Sequence, residues 1–304
     1  MNTIENRLIN RLKVMERLKT NLPWMGNQVK NLGMKGISKT QTEELPPVST
    51  VEDRLAKESK PDGSLEISSF QSVIAENGPF APYTIVLGMC EDGVPLTLNL
   101  DNPAPGALLI TADPEAGKTR LLRSILFSAA QINSTGQVIF YISADNPHEY
   151  TDLAELDHCR KLFAHRDSEA PRIIQELFSE LENRKLKTAD EMIIFAVEDL
   201  TQFAQAFDDA LLSKLHHLIK HGPRSGIWTF ATLSSNDVDQ IDPNLQEAFR
   251  THLLGYLADT DIATYLARDV NCPAQRLVKG SQFCASVSGD WFSFWICDPA
   301  GGEK

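Results

Sequence analysis

The sequence predicts an α/β protein whose mostly parallel central sheet is covered by helices. Two observations support this fold class. The composition is that of a globular protein, with 42% hydrophobic and 23% charged residues among 304, and short apolar runs alternate along the chain with stretches of helical period, as in strand-helix-strand units. The predicted strands are Thr84–Met89, Leu96–Leu98, Ala107–Thr111, Val138–Ile142, Met192–Val197 and Ile227–Leu233.

Three helices are predicted between these strands from the spacing of their apolar residues. Lys118–Ile132 follows the third strand directly, and Ala170–Leu186 precedes the fifth. The third helix is marked by Phe207, Leu211, Leu215 and Leu218. The run Ser281–Cys297 differs, because it contains two strand-like stretches that turn at Ser288-Gly289-Asp290, which is typical of a β-hairpin. We expect this hairpin to close the domain.

The first 64 residues predict two further segments. Residues 1–35 have apolar positions at helical spacing and carry a net charge of +5, whereas the whole chain carries -12, so the other 269 residues carry -17. We interpret residues 1–35 as a basic amphipathic helix that Pro23 interrupts. Residues 36–64 are rich in Ser, Thr, Pro, Glu and Lys and predict a flexible linker. The main domain is predicted over residues 65–304.

A basic arm on an acidic body suggests an anionic partner for the arm. A membrane surface, a nucleic acid and an acidic or apolar protein face all remain open, and so does a merely solvated helix face. The five cysteines are odd in number and form no C-x-x-C pair, so neither a disulfide framework nor a zinc site is indicated. We see no apolar run long enough for a membrane span. A cytoplasmic location is predicted, with peripheral membrane attachment as an alternative.

The segment after the third strand has the form of a phosphate-binding loop, [AG]-x-x-x-x-G-K-[ST], over Ala112–Thr119. In such a loop, backbone N–H groups and a helix N-terminus bind phosphates, Lys118 adds a positive charge, and the Thr119 hydroxyl ligates Mg²⁺. ATP and Mg²⁺ are the predicted cofactors. Pro114 has no N–H and Glu115 brings a carboxylate, and both weaken an anion site. The predicted binding residues are Asp113, Pro114, Glu115, Ala116, Gly117, Lys118, Thr119 and Arg120.

Two acids follow the fifth predicted strand. A hydrolytic enzyme of this kind needs one acid near Mg²⁺ and one that orients the attacking water, and Glu198 and Asp199 supply such a pair. Their order is the reverse of the common Asp-Glu order, and one methylene moves a carboxylate by roughly 1.5 Å. The alternative is an acid pair that merely caps the following helix.

With these two motifs the sequence resembles the motor domain of the FtsK/SpoIIIE family, RecA-like ring ATPases that pump double-stranded DNA and are related to HerA. Ile85–Met89 with Gly93–Leu96 resembles the family's hairpin before the loop, and His221–Thr232, with Arg224 and Gly226, resembles a later core strand. Gly280–Phe283 resembles the turn into the family's closing hairpin. The match is collinear over residues 84–297.

The resemblance implies a RecA-like P-loop NTPase fold for residues 65–304, a homo- or hetero-oligomeric ring, and double-stranded DNA as a partner. It assigns Lys118 and Thr119 to phosphate and Mg²⁺, Glu198 to the metal side, Asp199 to the attacking water, and Arg224 to a neighbouring subunit's nucleotide.

The sequence departs from the family at several polar positions, which are Ala112, Glu115, Ser143-Ala144-Asp145 and Leu233. It resembles a reduced motor module, and the family includes degenerate domains, as in type VII secretion ATPases, that assemble without turnover. The predicted function is therefore an ATP-binding, ring-forming motor-type subunit with weak hydrolysis. Two alternatives stay open, an inactive structural or regulatory module and a competent DNA translocase.

Overall fold

A computed structural model of the chain describes residues 69–184 and 191–298, all within one unit, Ser68–Lys304. The predicted basic helix over residues 1–35, the linker over 36–64 and the domain start at residue 65 lie outside the described residues. Within the described ranges, no helix combines the length and the apolar character needed to cross a bilayer.

Ten strands form a single sheet in the order β2-β1-β10-β9-β8-β3-β7-β6-β4-β5. All six predicted strands are among them, with ends that differ by at most two residues. The strands are β1 Thr84–Cys90, β2 Pro95–Asn99, β3 Leu108–Ala112, β4 Val138–Ala144, β5 Cys159–Ala164, β6 Met192–Val197, β7 Ile227–Ser234, β8 Thr251–Leu254, β9 Gln282–Val287 and β10 Asp290–Trp295.

The sheet has a parallel half and an antiparallel half. Strands β8, β3, β7, β6, β4 and β5 pair in parallel, whereas β2, β1, β10 and β9 extend the sheet with antiparallel pairs. The predicted hairpin is β9–β10, and it turns at Ser288 and Gly289, whose φ angles of 56° and 88° fit a tight hairpin turn. The hairpin joins β1–β2 to the parallel half. The predicted α/β class is confirmed.

Eight α-helices surround the sheet in the described ranges. They are α1 Phe70–Asn77, α2 Lys118–Ile132, α3 Thr151–Ala154, α4 Glu169–Arg184, α5 Leu200–Gln205, α6 Asp209–His221, α7 Pro243–Glu247 and α8 Thr260–Ala267. Helix α2 has the predicted ends, and α4 begins one residue earlier than predicted. The third predicted helix is α6, but Phe207 lies before it, because the Asp208 side chain accepts a hydrogen bond from Leu211 N and caps the helix at that point.

Both faces of the central strands of the parallel half are buried. Alternate residues of β6 point to opposite faces, so Ile193 and Phe195 join one apolar layer, with α4 and α6, and Ile194 joins the other, with α2. Every residue of β3 and β6 is buried, as expected for central strands. This packing fixes the carboxyl ends of β3, β6 and β7 on one side of the sheet, where the predicted phosphate loop and the two predicted acids lie.

Candidate nucleotide-binding site

The loop between β3 and α2 is anchored by Asp113. Its Oδ1 accepts a hydrogen bond from Ser235 Oγ at 2.5 Å, and its Oδ2 accepts one from Ala258 N at 2.9 Å. Asp113 N in turn donates to Tyr256 O at 3.0 Å. Asp113, predicted as a phosphate-binding residue, therefore ties the loop to the segments that follow β7 and β8.

The loop backbone contains two residues in the left-handed region, Glu115 with φ 59° and Gly117 with φ 90°. A Cβ on Gly117 would lie 2.8 Å from Gly280 O, so this position requires glycine. Glu115 occupies its conformation at a cost of about 1 kcal/mol, since left-handed backbone brings Cβ close to a carbonyl oxygen. After Gly117, the first N–H groups of α2 have no acceptor within the helix and can bind an anion.

Lys118 lies folded onto this loop. Its Nζ donates to Ala112 O at 3.0 Å and to Asp113 O at 2.9 Å. Burial lowers the pKa of Lys118, and the carboxylates of Asp199 and Asp113 partly oppose that shift. The ammonium group is thus held by two neutral carbonyl groups, which a polyphosphate can replace with a stronger charge-assisted contact.

The closest link between the two predicted motifs is a hydrogen bond from Thr119 Oγ1 to Glu198 Oε1, 2.6 Å long. Thr119 lies in the first turn of α2, and Glu198 follows β6. Burial raises the pKa of Glu198, against the effect of the Thr119 hydrogen bond. A hydroxyl and a carboxylate at this separation are oxygen ligands of the kind that Mg²⁺ prefers.

Tyr150 lies behind this pair and is fully buried. Burial and the neighbouring charge of Glu198 raise the pKa of the Tyr150 hydroxyl, and this hydroxyl has no hydrogen-bond partner of standard geometry. A cavity of about 670 Å³ opens in front of α2. Its lining includes Gly117, Lys118, Thr119, Arg120 and Arg123.

Asp199 has a different environment from Glu198. Its φ is 50°, its Oδ1 accepts from Gln202 N at 3.0 Å, and its Oδ2 accepts from Gln202 Nε2 at 2.9 Å. Asp199 N donates to Thr232 Oγ1 at 2.8 Å. Asp199 therefore caps α5, the alternative that the sequence left open for both acids, whereas Glu198 contacts Thr119.

Arg224 and Arg120 differ in where they lie relative to the loop. Arg224 is exposed in the turn Gly222–Ser225 that precedes β7. Arg224 lies at the amino end of β7. Because β7 runs parallel to β3, this end is opposite the carboxyl ends of the strands, where the loop of the same chain lies. Arg120, in the first turn of α2, forms a 3.8 Å ion pair with Asp298.

Sequence reasoning missed two residues of this site. Ser235, which holds Asp113, follows β7 without any motif. Tyr150 lies in the short 3-10 turn Pro147–Tyr150 after β4, where no pattern pointed to Glu198. Both are brought to the site by parallel strands that end at the same edge.

The end of the loop, with Glu198, fits a nucleotide phosphate with Mg²⁺, whereas the start of the loop fits one less well. Gly117, Lys118, Thr119 and Glu198 offer a close backbone approach, a cation and two oxygen ligands. Pro114 and Glu115 are exposed at the mouth of the loop, and the carboxylate of Glu115 opposes an anionic ligand.

Comparison with known proteins identifies the fold. EssC (ATPases 2 and 3) from Geobacillus thermodenitrificans matches with a TM-score of 0.62 and 19% identity, over 75% of this chain and 49% of that one. The pCW3 conjugation coupling protein TcpA, in its monomer form with ATPγS, matches with 0.61 and 14%, over 76% and 69%. EccC (ATPases 2 and 3) from Thermomonospora curvata, in complex with a signal sequence peptide, matches with 0.59 and 16%, over 76% and 43%.

These similarities concern the fold alone. The resemblance to FtsK/SpoIIIE-type motor domains is confirmed at that level, and so is the RecA-like P-loop fold. The chain spans about half or less of the EssC and EccC structures that it matches. No protein-family model and no curated protein matches the sequence.

Proposed function

We propose that this chain is an ATP- and Mg²⁺-binding subunit of FtsK/HerA-like motor type that assembles into rings and hydrolyses ATP weakly. The observation that carries the proposal is the 2.6 Å hydrogen bond between Thr119 and Glu198, next to a loop that holds Lys118. The fold shared with TcpA, which was solved with ATPγS, supports a nucleotide as the ligand.

The residues have distinct roles in binding. Lys118 Nζ would exchange the carbonyls of Ala112 and Asp113 for phosphate oxygens, and the first N–H groups of α2 would contact the same phosphates. Thr119 and Glu198 would hold Mg²⁺, which neutralises phosphate charge when bound. Glu198 must be ionised for this role, so its raised pKa makes metal binding sensitive to acid.

We expect weak hydrolysis because of where Asp199 and Arg224, the two groups that it would need, are placed. Asp199 can orient a water only if it gives up part of its contact with Gln202. Arg224 can reach only the nucleotide of a neighbouring copy or a related subunit. Hydrolysis should therefore depend on assembly, and dilution should lower the specific activity.

An inactive structural or regulatory module is the second candidate. It is favoured by the Glu115 carboxylate at the mouth of the loop and by the capping role of Asp199. Such a module would keep the fold for assembly without binding nucleotide.

Isothermal titration with ATP and Mg²⁺ distinguishes these two functions. Heat of binding that requires Mg²⁺ supports the first, and no binding at millimolar nucleotide leaves only the structural module. ATPase activity measured over a dilution series then tests the dependence on assembly.

The proposal also includes double-stranded DNA as a partner and the basic segment 1–35 as an attachment. We expect the segment to attach the protein to an anionic membrane surface or to a partner protein, in a cytoplasmic setting. Co-sedimentation with anionic vesicles and DNA mobility shift should be compared for the full chain and a chain that starts at Leu65. Equal behaviour in both assays would remove the segment from the account.

A further inference from the structure

The cavity in front of α2 extends well beyond the phosphate loop. Its lining includes Arg120, Arg123 and Phe127, which lie on one face of α2 at helical spacing. From Thr119 to Phe127 the lining runs about 12 Å along the helix, at ~1.5 Å per residue. A phosphate with its Mg²⁺ would occupy only the Thr119 end. The volume of about 670 Å³ is that of a site for a whole small molecule.

The part of the cavity beyond Arg120 is built with two segments that the sequence motifs did not include. Phe127 is half-buried and packs edge-on against Phe70 of α1, with ring centroids 5.8 Å apart. Phe70 N donates to Asp298 O at 3.0 Å, and Ser124 Oγ of α2 donates to Cys297 O at 3.0 Å. The segments before β1 and after β10 therefore fix the Phe127 ring and the Asp298 backbone beside α2.

Two ion pairs lie along the walls of this cavity. Arg120 pairs with Asp298 at 3.8 Å, and Arg123 pairs with Asp152 at 2.7 Å. Since all four side chains are partly exposed, the pairs are weak and can exchange partners with a ligand. A ligand that fits would offer a flat apolar face to Phe127, a hydrogen-bond donor to a carboxylate, and negative charge to the loop and the arginines.

A nucleotide carries these groups in the required order, because its sugar separates the phosphates from a flat base. We propose that the part of the cavity beyond Arg120 binds the nucleobase, which stacks on the Phe127 ring while Asp298 accepts a hydrogen bond from the N6 amine of adenine. This base site rests on the proposed nucleotide-binding function and adds the residues that would recognise adenine.

Inorganic tripolyphosphate separates the base site from the phosphate site, because it has phosphates and no base. Isothermal titration of the full chain should compare ATP with tripolyphosphate, each with Mg²⁺. Phe127→Leu keeps an apolar side chain but removes the ring, so it should weaken ATP about tenfold, as for loss of a base–aromatic stack. It should leave tripolyphosphate unchanged. Phe127→Tyr should bind ATP normally, and Phe178→Leu, which removes a half-buried ring of α4, should change neither ligand.

A second comparison tests Asp298. Purine riboside triphosphate is ATP without the N6 amine. The unsubstituted protein should bind ATP about tenfold more tightly than this analogue, because a hydrogen bond to a charged group is at stake. Asp298→Ala should abolish the preference. Because the preference is a ratio within each protein, any effect of the substitution that is common to both ligands cancels.

Several results would overturn the base site. They are an ATP affinity that Phe127→Leu leaves unchanged, an equal weakening of ATP and tripolyphosphate by that variant, no preference for ATP over the analogue, and a preference that survives Asp298→Ala. With tripolyphosphate still bound, such a result would leave the phosphate site standing. If neither ATP nor tripolyphosphate binds at millimolar concentration, the proposed nucleotide-binding function fails, and the base site fails with it.

Discussion

Glu198, which we propose to hold Mg²⁺ with Thr119, and Asp199, which hydrolysis would need, are adjacent in the chain but have different surroundings. Glu198 reaches across from β6 to bond with Thr119 on α2. Asp199, one residue later, has a positive φ and accepts hydrogen bonds from the backbone N and the side-chain Nε2 of Gln202, in the helix that it caps. The fold therefore arranges the groups that would hold Mg²⁺, while the second acid has a local structural task.

The largest expected effect is on the binding part. Lys118→Ala should weaken ATP·Mg²⁺ binding by about 100-fold, or about 2.8 kcal/mol, because it removes an ammonium group that is folded onto the loop between β3 and α2. Binding of a fluorescent ATP analogue measures the change. Lys214→Ala, which removes a lysine that contacts Gln175 on α4, is the matched control. An ATPase that survives Lys118→Ala unchanged would mean contamination or a wrong site assignment.

A smaller effect is expected at the metal. Glu198→Gln should lose about tenfold in the Mg²⁺-dependent part of affinity, or about 1.4 kcal/mol, since an uncharged amide replaces the carboxylate. Because burial raises the pKa of Glu198, protons compete with Mg²⁺ at a higher pH than at a free glutamate. Affinity of the unsubstituted protein should fall more steeply on acidification than that of Glu198→Gln, which keeps only the titration of the nucleotide's own phosphates. Equal slopes in the two proteins would show that Glu198 does not contribute to the pH dependence.

The same shift predicts a sign for stability. A carboxyl whose pKa is raised on folding binds its proton more tightly in the folded state, so its contribution to folding is present at low pH and is lost as the pH rises through the raised pKa. Urea unfolding at a series of pH values should show Glu198→Gln gaining stability relative to the unsubstituted protein as the pH increases.

Asp199 tests the other side of the comparison. Asp199→Ala should cost about 1 kcal/mol in the free energy of unfolding, because it removes the cap of α5. Asp199→Asn keeps a capping side chain that tolerates positive φ, so it should be almost neutral in urea unfolding. If the Asn variant also keeps any ATPase activity, Asp199 acts only as a cap; a selective loss of activity would give it the catalytic role.

The smallest effect is expected at the mouth of the loop. Glu115→Gly should stabilise the fold by about 0.5 kcal/mol, since relief of the left-handed strain exceeds the added chain entropy. It should also tighten nucleotide binding a few-fold. Glu115→Gln removes the charge but keeps the strain, so it should gain affinity without gaining stability. Weaker binding in both variants would show that the carboxylate assists the ligand.

Much of the parallel half of the fold was predictable, because strands buried on both faces leave continuous apolar runs. Strand β6 has the predicted ends for this reason. Strand β5 was missed because Arg160 and Lys161 are exposed at the sheet edge, and β8 was missed because it has only four residues. The place of the hairpin β9–β10 between β1 and β8 depends on long-range pairing that no local pattern encodes.

At the site, the family resemblance assigned both Thr119 and Glu198 to Mg²⁺, and the structure places their side chains in a 2.6 Å hydrogen bond. The division of labour between Glu198 and Asp199 was not predictable, since it depends on a backbone φ at Asp199 and on the position of Gln202. The sequence showed Glu115 as an added charge, but only the structure places it in the left-handed region.

The most direct test of the account is a crystal structure of the chain with a non-hydrolysable ATP analogue and Mg²⁺. We expect Mg²⁺ between Thr119 Oγ1 and Glu198, Lys118 Nζ on phosphate oxygens instead of the carbonyls of Ala112 and Asp113, and Asp199 still bound to Gln202 N. An empty site at millimolar analogue, or a bound analogue with the Thr119–Glu198 hydrogen bond and the Lys118 contacts unchanged, would contradict it.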